Sequence, residues 1–171
     1  MKIGLLSDTH SFFPTEIYKH FAEVDEIWHA GDIGNTEVLD ELKRFKPTRA
    51  VFGNIDGNEL RAEVRETEIF EAEGYKVIIT HIAGRPGKYQ RNVDELIRKH
   101  RPNLFICGHS HTLLVQMDKS LNTLWMNPGA AGIHGFHKVR TLLRFEINAG
   151  KIENLEAIEL GIRSQVNSDN N

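Results

Sequence analysis

Leu104-Phe105-Ile106-Cys107-Gly108-His109-Ser110-His111 is the stretch whose reading decides the fold. Its first four residues are apolar without a break, the pattern of a short strand buried on both faces. Gly-His-Ser-His then puts two imidazoles two residues apart at the strand's end, where an open β-sheet presents its ligands. A glycine there lets the backbone turn tightly, so that both rings aim at adjacent points. One pair of histidines says little. Four further fragments repeat the shape, each after an apolar, strand-like run: Asp8-Thr9-His10, Gly31-Asp32, Gly53-Asn54 and Thr80-His81.

Outward from that stretch, the first half of the chain alternates. Ile3 to Ser7, Glu26 to Ala30 and Ala50 to Phe52 read as strands. Between them, Ile17, Tyr18 and Phe21 keep helical spacing, and Val38, Leu39, Leu42 and Phe45 form a helical stripe that Asn35 can cap and Pro47 stops. Strand, helix, strand, helix, strand implies parallel pairing through crossovers. The second half changes character. Residues 68–72 and 75–79 flank Glu73-Gly74 as a hairpin, and Val93, Leu96, Ile97 and His100 mark a helix that Pro102 ends. Leu113-Leu114-Val115 begins further strands, and alternation from Val139 to Ile147 reads as a half-buried strand that turns at residues 148–151 and pairs back through Leu160. Residues 164–171 read as a polar, disordered tail, leaving one domain over 1–163. The simplest assembly is an α/β fold of two packed sheets flanked by helices.

Composition agrees with a globular enzyme-sized domain. At 171 residues, the chain is long enough for a sizeable core. A net charge of −3 argues against a surface that coats nucleic acid. Cys107, the single cysteine, sits in an apolar run and reads as a buried thiol rather than a nucleophile. No apolar stretch approaches the roughly 20 residues that span a bilayer, so the cytoplasm is the default location.

The fragments at the strand ends supply Asp8, His10, Asp32, Asn54, His81, His109 and His111. Singly, each has an ordinary reading: a turn cap for Asp8 or Asp32, a left-handed turn for Asn54, a core histidine for His81. Together they form a set of carboxylate, amide and imidazole donors that suits Mn²⁺, Fe, Zn²⁺, Co²⁺ or Ni²⁺ rather than Ca²⁺. Seven donors are too many for one ion. They suit two, about 3.5–4 Å apart, sharing a carboxylate and able to clamp a phosphoryl group. His29 reads as a core histidine, and His20 and His100 as surface or structural; Trp28 and Trp125 read as core. His134 and His137 lie in a glycine-bearing loop that can approach a substrate. Arg85, with Lys88 and Arg91, can attract phosphate or simply be solvated.

In order, Asp-x-His, Gly-Asp, Gly-Asn-x-Asp, Thr-His and Gly-His-x-His resemble the calcineurin-like metallophosphoesterase superfamily. Asn127-Pro128-Gly129 resembles its small bacterial and archaeal phosphodiesterase branch, to which the retromer metallophosphoesterase-like subunit is related. The resemblance runs from Lys2 to about Leu160. It implies a four-layer αββα sandwich of two mixed sheets. It also implies one ion on Asp8, His10, Asp32 and His111, and another on Asp32, Asn54, His81 and His109. The activity implied is that of a phosphoesterase, a diesterase rather than a monoesterase, in which a hydroxide held by the metals attacks phosphorus in line. Asp32, Asn54 and His109 would be catalytic, with a phosphate-ester small molecule as substrate, manganese as the leading metal and no membrane partner. Nucleotide substrates and homo-oligomers stay open. Asp56 is expected to orient a histidine ligand from behind. In this sequence Ile55 stands where many relatives carry a histidine that acts on the leaving group, and Ile82 where glycine is usual. The alternative is a non-catalytic interaction scaffold on the same fold, which would be free to lose metal ligands.

Overall fold

The computed structural model describes residues 1–163; the expected tail, 164–171, lies outside the described residues. In chain order the elements are β1 (Lys2–Leu6), α1 (Ile17–His20), β2 (Glu26–His29), α2 (Thr36–Phe45), β3 (Thr48–Ala50), α3 (Asn58–Glu63), β4 (Thr67–Ala72) and β5 (Tyr75–Thr80). The second half continues with β6 (Gly84–Arg85), β7 (Lys88–Tyr89), α4 (Arg91–His100), β8 (Leu104–Ile106), β9 (Leu113–Asp118), β10 (Thr123–Pro128), β11 (Val139–Asn148) and β12 (Lys151–Ile162).

Two five-stranded sheets result, ordered β12-β11-β1-β2-β3 and β4-β5-β8-β10-β9. In the first, β1, β2 and β3 are parallel and β11 joins β1 antiparallel. In the second, β5, β8 and β10 are parallel, with β4 and β9 antiparallel at the edges. Both sheets are therefore mixed. Successive residues of a strand face opposite ways, and the core shows this directly. Ile3 and Leu5 of β1 meet Val77, Ile79, Leu104 and Ile106 between the sheets. Leu6, one residue on, faces Phe21, Val38, Leu39 and Leu42 in the outer helical layer. Ile78 and Phe105 of the second sheet face Val93 and Ile97 of α4. These are the four layers, αββα. Each fully buried side chain of this kind contributes about 1.5–3 kcal/mol.

Local chemistry sets the helices. The Asn35 carboxamide oxygen accepts from Val38 N at 3.2 Å and starts α2, whose Val38, Leu39 and Leu42 are buried. Arg101, in the left-handed region, closes α4 ahead of Pro102. Three features depart from the sequence reading. The third strand ends at Ala50 rather than running over 50–52, because Val51 makes only one isolated bridge, to Arg65, before the chain leaves the sheet. The helix α3 and the two-residue ribbon β6-β7 were not expected; α3 has glycine at its N-cap and no capping side chain to announce it. Among the described residues no helix is long and apolar enough to cross a membrane.

Candidate metal centre

Asp8, His10, Asp32, Asn54, His81, His109 and His111 all follow the carboxyl ends of mutually parallel strands, so they reach one edge of the sandwich. Backbone bonds tie their loops together: Asp8 N donates to Gly31 O, His10 N to Asp32 O and Gly108 N to His81 O, each at 3.0 Å. The two sheets meet where His109 N donates to the Asp8 carboxylate at 3.2 Å.

Two groups of donors form there. One atom from each of Asp8, His10 and His111 lies within 4.8 Å of the others, and the same holds for Asp32, His81 and His109. Asp32 reaches both groups, with Oδ1 3.2 Å from His81 Nε2 and Oδ2 3.6 Å from His10 Nε2. Asp8 Oδ1 lies 3.2 Å from His111 Nε2 and 4.0 Å from His81 Nε2. Asn54 is exposed and lines the same cleft as Asp32 and His109.

The backbone is bent to this arrangement. Asp8, His10, Asp32, His109 and His111 all have positive φ, between 47° and 67°. Side chains other than glycine rarely adopt that region, and doing so costs of order 1–3 kcal/mol. The glycines are there for a different reason from the one the sequence suggested. Gly108 is not in the left-handed region. A Cβ on it would lie 2.0 Å from Ser7 Oγ and 2.9 Å from Asp8 Oδ2, and one on Gly53 would lie 2.0 Å from Asp32 Oδ1. Their lack of a side chain lets the carboxylates approach the opposite loop; the tight turn is not what requires them.

Hydrogen bonds set which nitrogen each histidine offers. His81 Nδ1 lies 2.8 Å from the Ala30 carbonyl, which can only accept, so in the neutral ring, the form that binds a metal, Nδ1 carries the proton and Nε2 the lone pair. That Nε2 is buried and has no hydrogen-bond partner. An orphaned buried imidazole nitrogen beside a carboxylate is what a metal site requires, and the donor set fits transition-metal ions. Likewise His137 Nε2 donates to Gly132 O at 3.0 Å, which leaves its Nδ1 to accept from His111 Nδ1 at 3.2 Å and turns the His111 lone pair toward Asp8. Burial holds His137 below the usual imidazole range, consistent with this neutral acceptor role. Burial disfavours charge on both Asp32 and His81. Their mutual attraction outweighs it, holding the carboxyl below its usual range and the imidazole above. Burial lowers His10.

Other expectations fall out differently. Asp56 does not hold a histidine; its carboxylate accepts from the backbone amides of Gly53 at 2.7 Å, Gly34 at 2.7 Å and Ile33 at 3.1 Å, so it pins the Asp32 loop to the Asn54 loop. Ile55 contributes its amide, which donates to Asp32 Oδ1 at 3.1 Å, while its side chain lines the cleft. His29 is fully buried, accepts from Gly31 N and donates from Nε2 to Thr9 Oγ1 at 2.9 Å, a core histidine. Cys107 is buried, and burial pushes its thiol up. Trp28 and Trp125 are core. His134 is exposed, lines the cleft and lies 5.1 Å ring to ring from His10. Arg85 is exposed on β6 and lines neither cleft beside the centre.

The sequence offers Asn127 as part of the Asn-Pro-Gly motif but assigns it no role at the site. Its Nδ2 donates to Gly108 O at 2.7 Å and Ser110 Oγ at 3.1 Å, and its Oδ1 accepts from Gly129 N, so it fastens the histidine turn to the next strand. The Asn-Pro-Gly motif is the signal that points to it; what it fastens shows only in the fold.

Comparison with known proteins follows the same lines. A family model described as a calcineurin-like phosphoesterase superfamily domain matches residues 1–150. A probable metallophosphoesterase of Methanocaldococcus jannaschii is 32% identical over 136 residues, covering 76% of this chain and 68% of that protein. A phosphodiesterase of the same organism is 27% identical over 146 residues, covering 75% of this chain and 83% of that one. Among solved structures, wild-type Vps29 from Entamoeba histolytica complexed with zinc superposes with a TM-score of 0.69 at 18% identity, over 94% of this chain and 100% of that one.

Proposed function

Since the family match takes in residues 1–150 of 171, this chain belongs to the calcineurin-like phosphoesterase superfamily, and from that premise we propose that it is a dinuclear metal-dependent phosphodiesterase formed by one domain over residues 1–163 and acting in the cytoplasm. One observation carries the proposal: two carboxylates stand between two sets of histidines, with the buried His81 Nε2 left unpartnered among them. On this reading Asp8, His10 and His111 hold one ion, His81, His109 and Asn54 the other, and Asp32 serves both. Manganese is the leading candidate. Bound there, the ions would supply a nucleophile from water and neutralise the phosphoryl oxygens.

The chain's own residues do the rest. The Asp8 and Asp32 loops are held rigid by backbone bonds, so the donors need no rearrangement to receive the ions. His109 and Asn54, both exposed at the cleft, stand where they can touch the phosphoryl oxygens. His134 lines the same cleft and is the histidine free to contact the ester; His137 is not, because both its ring nitrogens are engaged. Ile55 offers no proton to a leaving group.

The competing reading, an interaction scaffold, has the likeness to Vps29 behind it. A scaffold needs no ligand set, whereas all seven positions here carry a metal donor. The test is to load the purified protein with manganese, zinc, nickel or cobalt, or with iron under reducing conditions. Bound metal is then measured, and phosphomonoesters and diesters of graded leaving-group pKa are assayed. The proposal expects two equivalents of metal, faster cleavage of diesters and a steep dependence on the leaving group. Loaded protein that cleaves no ester would overturn it in favour of the scaffold.

A further inference from the structure

Asn54 stands between two clefts. One, of about 460 Å³, lies over the histidines and extends past Ile55 to Phe136. The other, of about 440 Å³, starts at Asn54 and His81 and runs between the start of β4 and the N-terminal half of α4. Both are in the size range of small-molecule sites, about 300–1,000 Å³. Beyond Asn54 and His81 at its mouth, nothing in the metal centre's own chemistry uses the second. A phosphomonoester has one organic arm and would need one cleft; a diester has two arms leaving phosphorus in different directions.

We infer that the second cleft binds the second organic arm of a phosphodiester, and that this arm is a neutral, hydrogen-bonding group of nucleoside size. The inference rests on the phosphodiesterase reading and gives it a substrate class. Its chemistry follows from the lining. Leu96 of α4, half-buried, offers an apolar wall to a ring or sugar face, with Val93 packed behind the same stretch of the helix. The carboxamides of Gln90 and Asn92 are exposed along it, and Gln90 is not used to cap α4. Each provides a donor and an acceptor, the pairing that reads the edge of a base or a sugar hydroxyl. A second phosphate is a poorer fit. Arg61, the lysine or arginine that lines this cleft among the described residues, is turned back on its own loop: Nε donates to Asp56 O at 2.7 Å and Nη2 to Gly53 O at 3.1 Å, with the guanidinium stacked 4.3 Å over Phe52. Glu66 lines the same cleft and opposes an added negative charge.

The test uses the metal-loaded full chain and two chromogenic probes, the p-nitrophenyl diester of thymidine monophosphate and p-nitrophenyl phosphate. Leu96→Trp fills the cleft, and Gln90→Ala, at an exposed position, removes one amide without burdening the fold. The ratio of kcat/KM for the thymidine diester to that for the monoester should fall about tenfold or more in Leu96→Trp and several-fold in Gln90→Ala. Bound metal should match the wild type in both. A ratio within about twofold of the wild type in both variants would overturn the inference. If the wild-type protein cleaves neither probe, the phosphodiesterase reading fails, and the cleft is judged by calorimetric binding of the thymidine diester. Weakening of about tenfold in Leu96→Trp supports the cleft as its site, and equal affinity overturns it.

Discussion

The two halves of the metal centre are built to different standards. His81 takes its orientation from the Ala30 carbonyl, at the end of a core strand, and is itself buried. His111 takes its orientation from His137, in a partly exposed loop where the preceding residue, Phe136, is fully exposed. One half is a consequence of the fold. The other depends on a loop that packs against it from outside. On the dinuclear reading, a site divided this way should lose its two ions unequally when either support is removed, because outer hydrogen-bond partners set ligand geometry and basicity.

The largest effect should come from the residue that belongs to both halves. Asp32→Ala removes oxygens 3.2 Å from His81 and 3.6 Å from His10 at once. Elemental analysis should find bound metal falling from two equivalents to one or none. Two full equivalents would break the comparison at its root, since the halves would then share nothing.

Next in size is an acid effect on the fold-built half. His29 bonds to Thr9 and Gly31, beneath the Asp8 and Asp32 loops, and burial pushes it down from 6.5 to about 4. A buried neutral histidine resists protonation, whereas the unfolded chain takes up the proton below its ordinary value. Stability is thus full above about 6.5 and falls as pH drops toward 4, by about 3 kcal/mol at 1.36 kcal/mol per unit. Denaturant unfolding of the metal-free protein across that window should show the decline, and His29→Gln should remove most of the slope. An unchanged slope in the variant would place the acid sensitivity elsewhere.

How much of this the sequence discloses also divides along the same line. The buried half is written in apolar runs that end in a ligand: Leu104 to Cys107 before Gly108-His109, and Val77 to Thr80 before His81, so strand ends and donors could be read together. Backbone conformation is not written anywhere, which is why the positive φ of five candidate ligands came only with the structure. Gly108 reads as a turn glycine and Gly53 only as the residue before Asn54, but what requires them is a carboxylate or hydroxyl from a distant segment, and no local pattern encodes that. Asp56 failed as a histidine partner for the same reason: its three backbone partners lie on two loops that only the folded chain brings together. His137 was noticed as a loop histidine, and its partner 26 residues earlier could not be named from sequence.

That partnership gives the smallest effect and the finest test of the comparison. His137→Phe keeps a ring in the loop but removes the acceptor for His111 Nδ1, so the ring of His111 is free to rotate or to take the other tautomer. Loss of such an outer partner typically costs about 10–100-fold in metal affinity, or roughly 1.4–2.7 kcal/mol. The loss should fall on one of the two binding steps seen by calorimetry, the one that His111→Ala also removes, while the step removed by His81→Ala stays as in the wild type. His137→Asn separates the hydrogen bond from packing. Its Oδ1 is attached at the same branch point as the imidazole Nδ1 and can accept the same proton, though its short side chain cannot reach Gly132. Most of the affinity should return in the asparagine variant. Equal weakening by phenylalanine and asparagine would mean the loop merely packs against His111, and wild-type binding of both ions by His137→Phe would mean that the outer half, too, is a consequence of the fold.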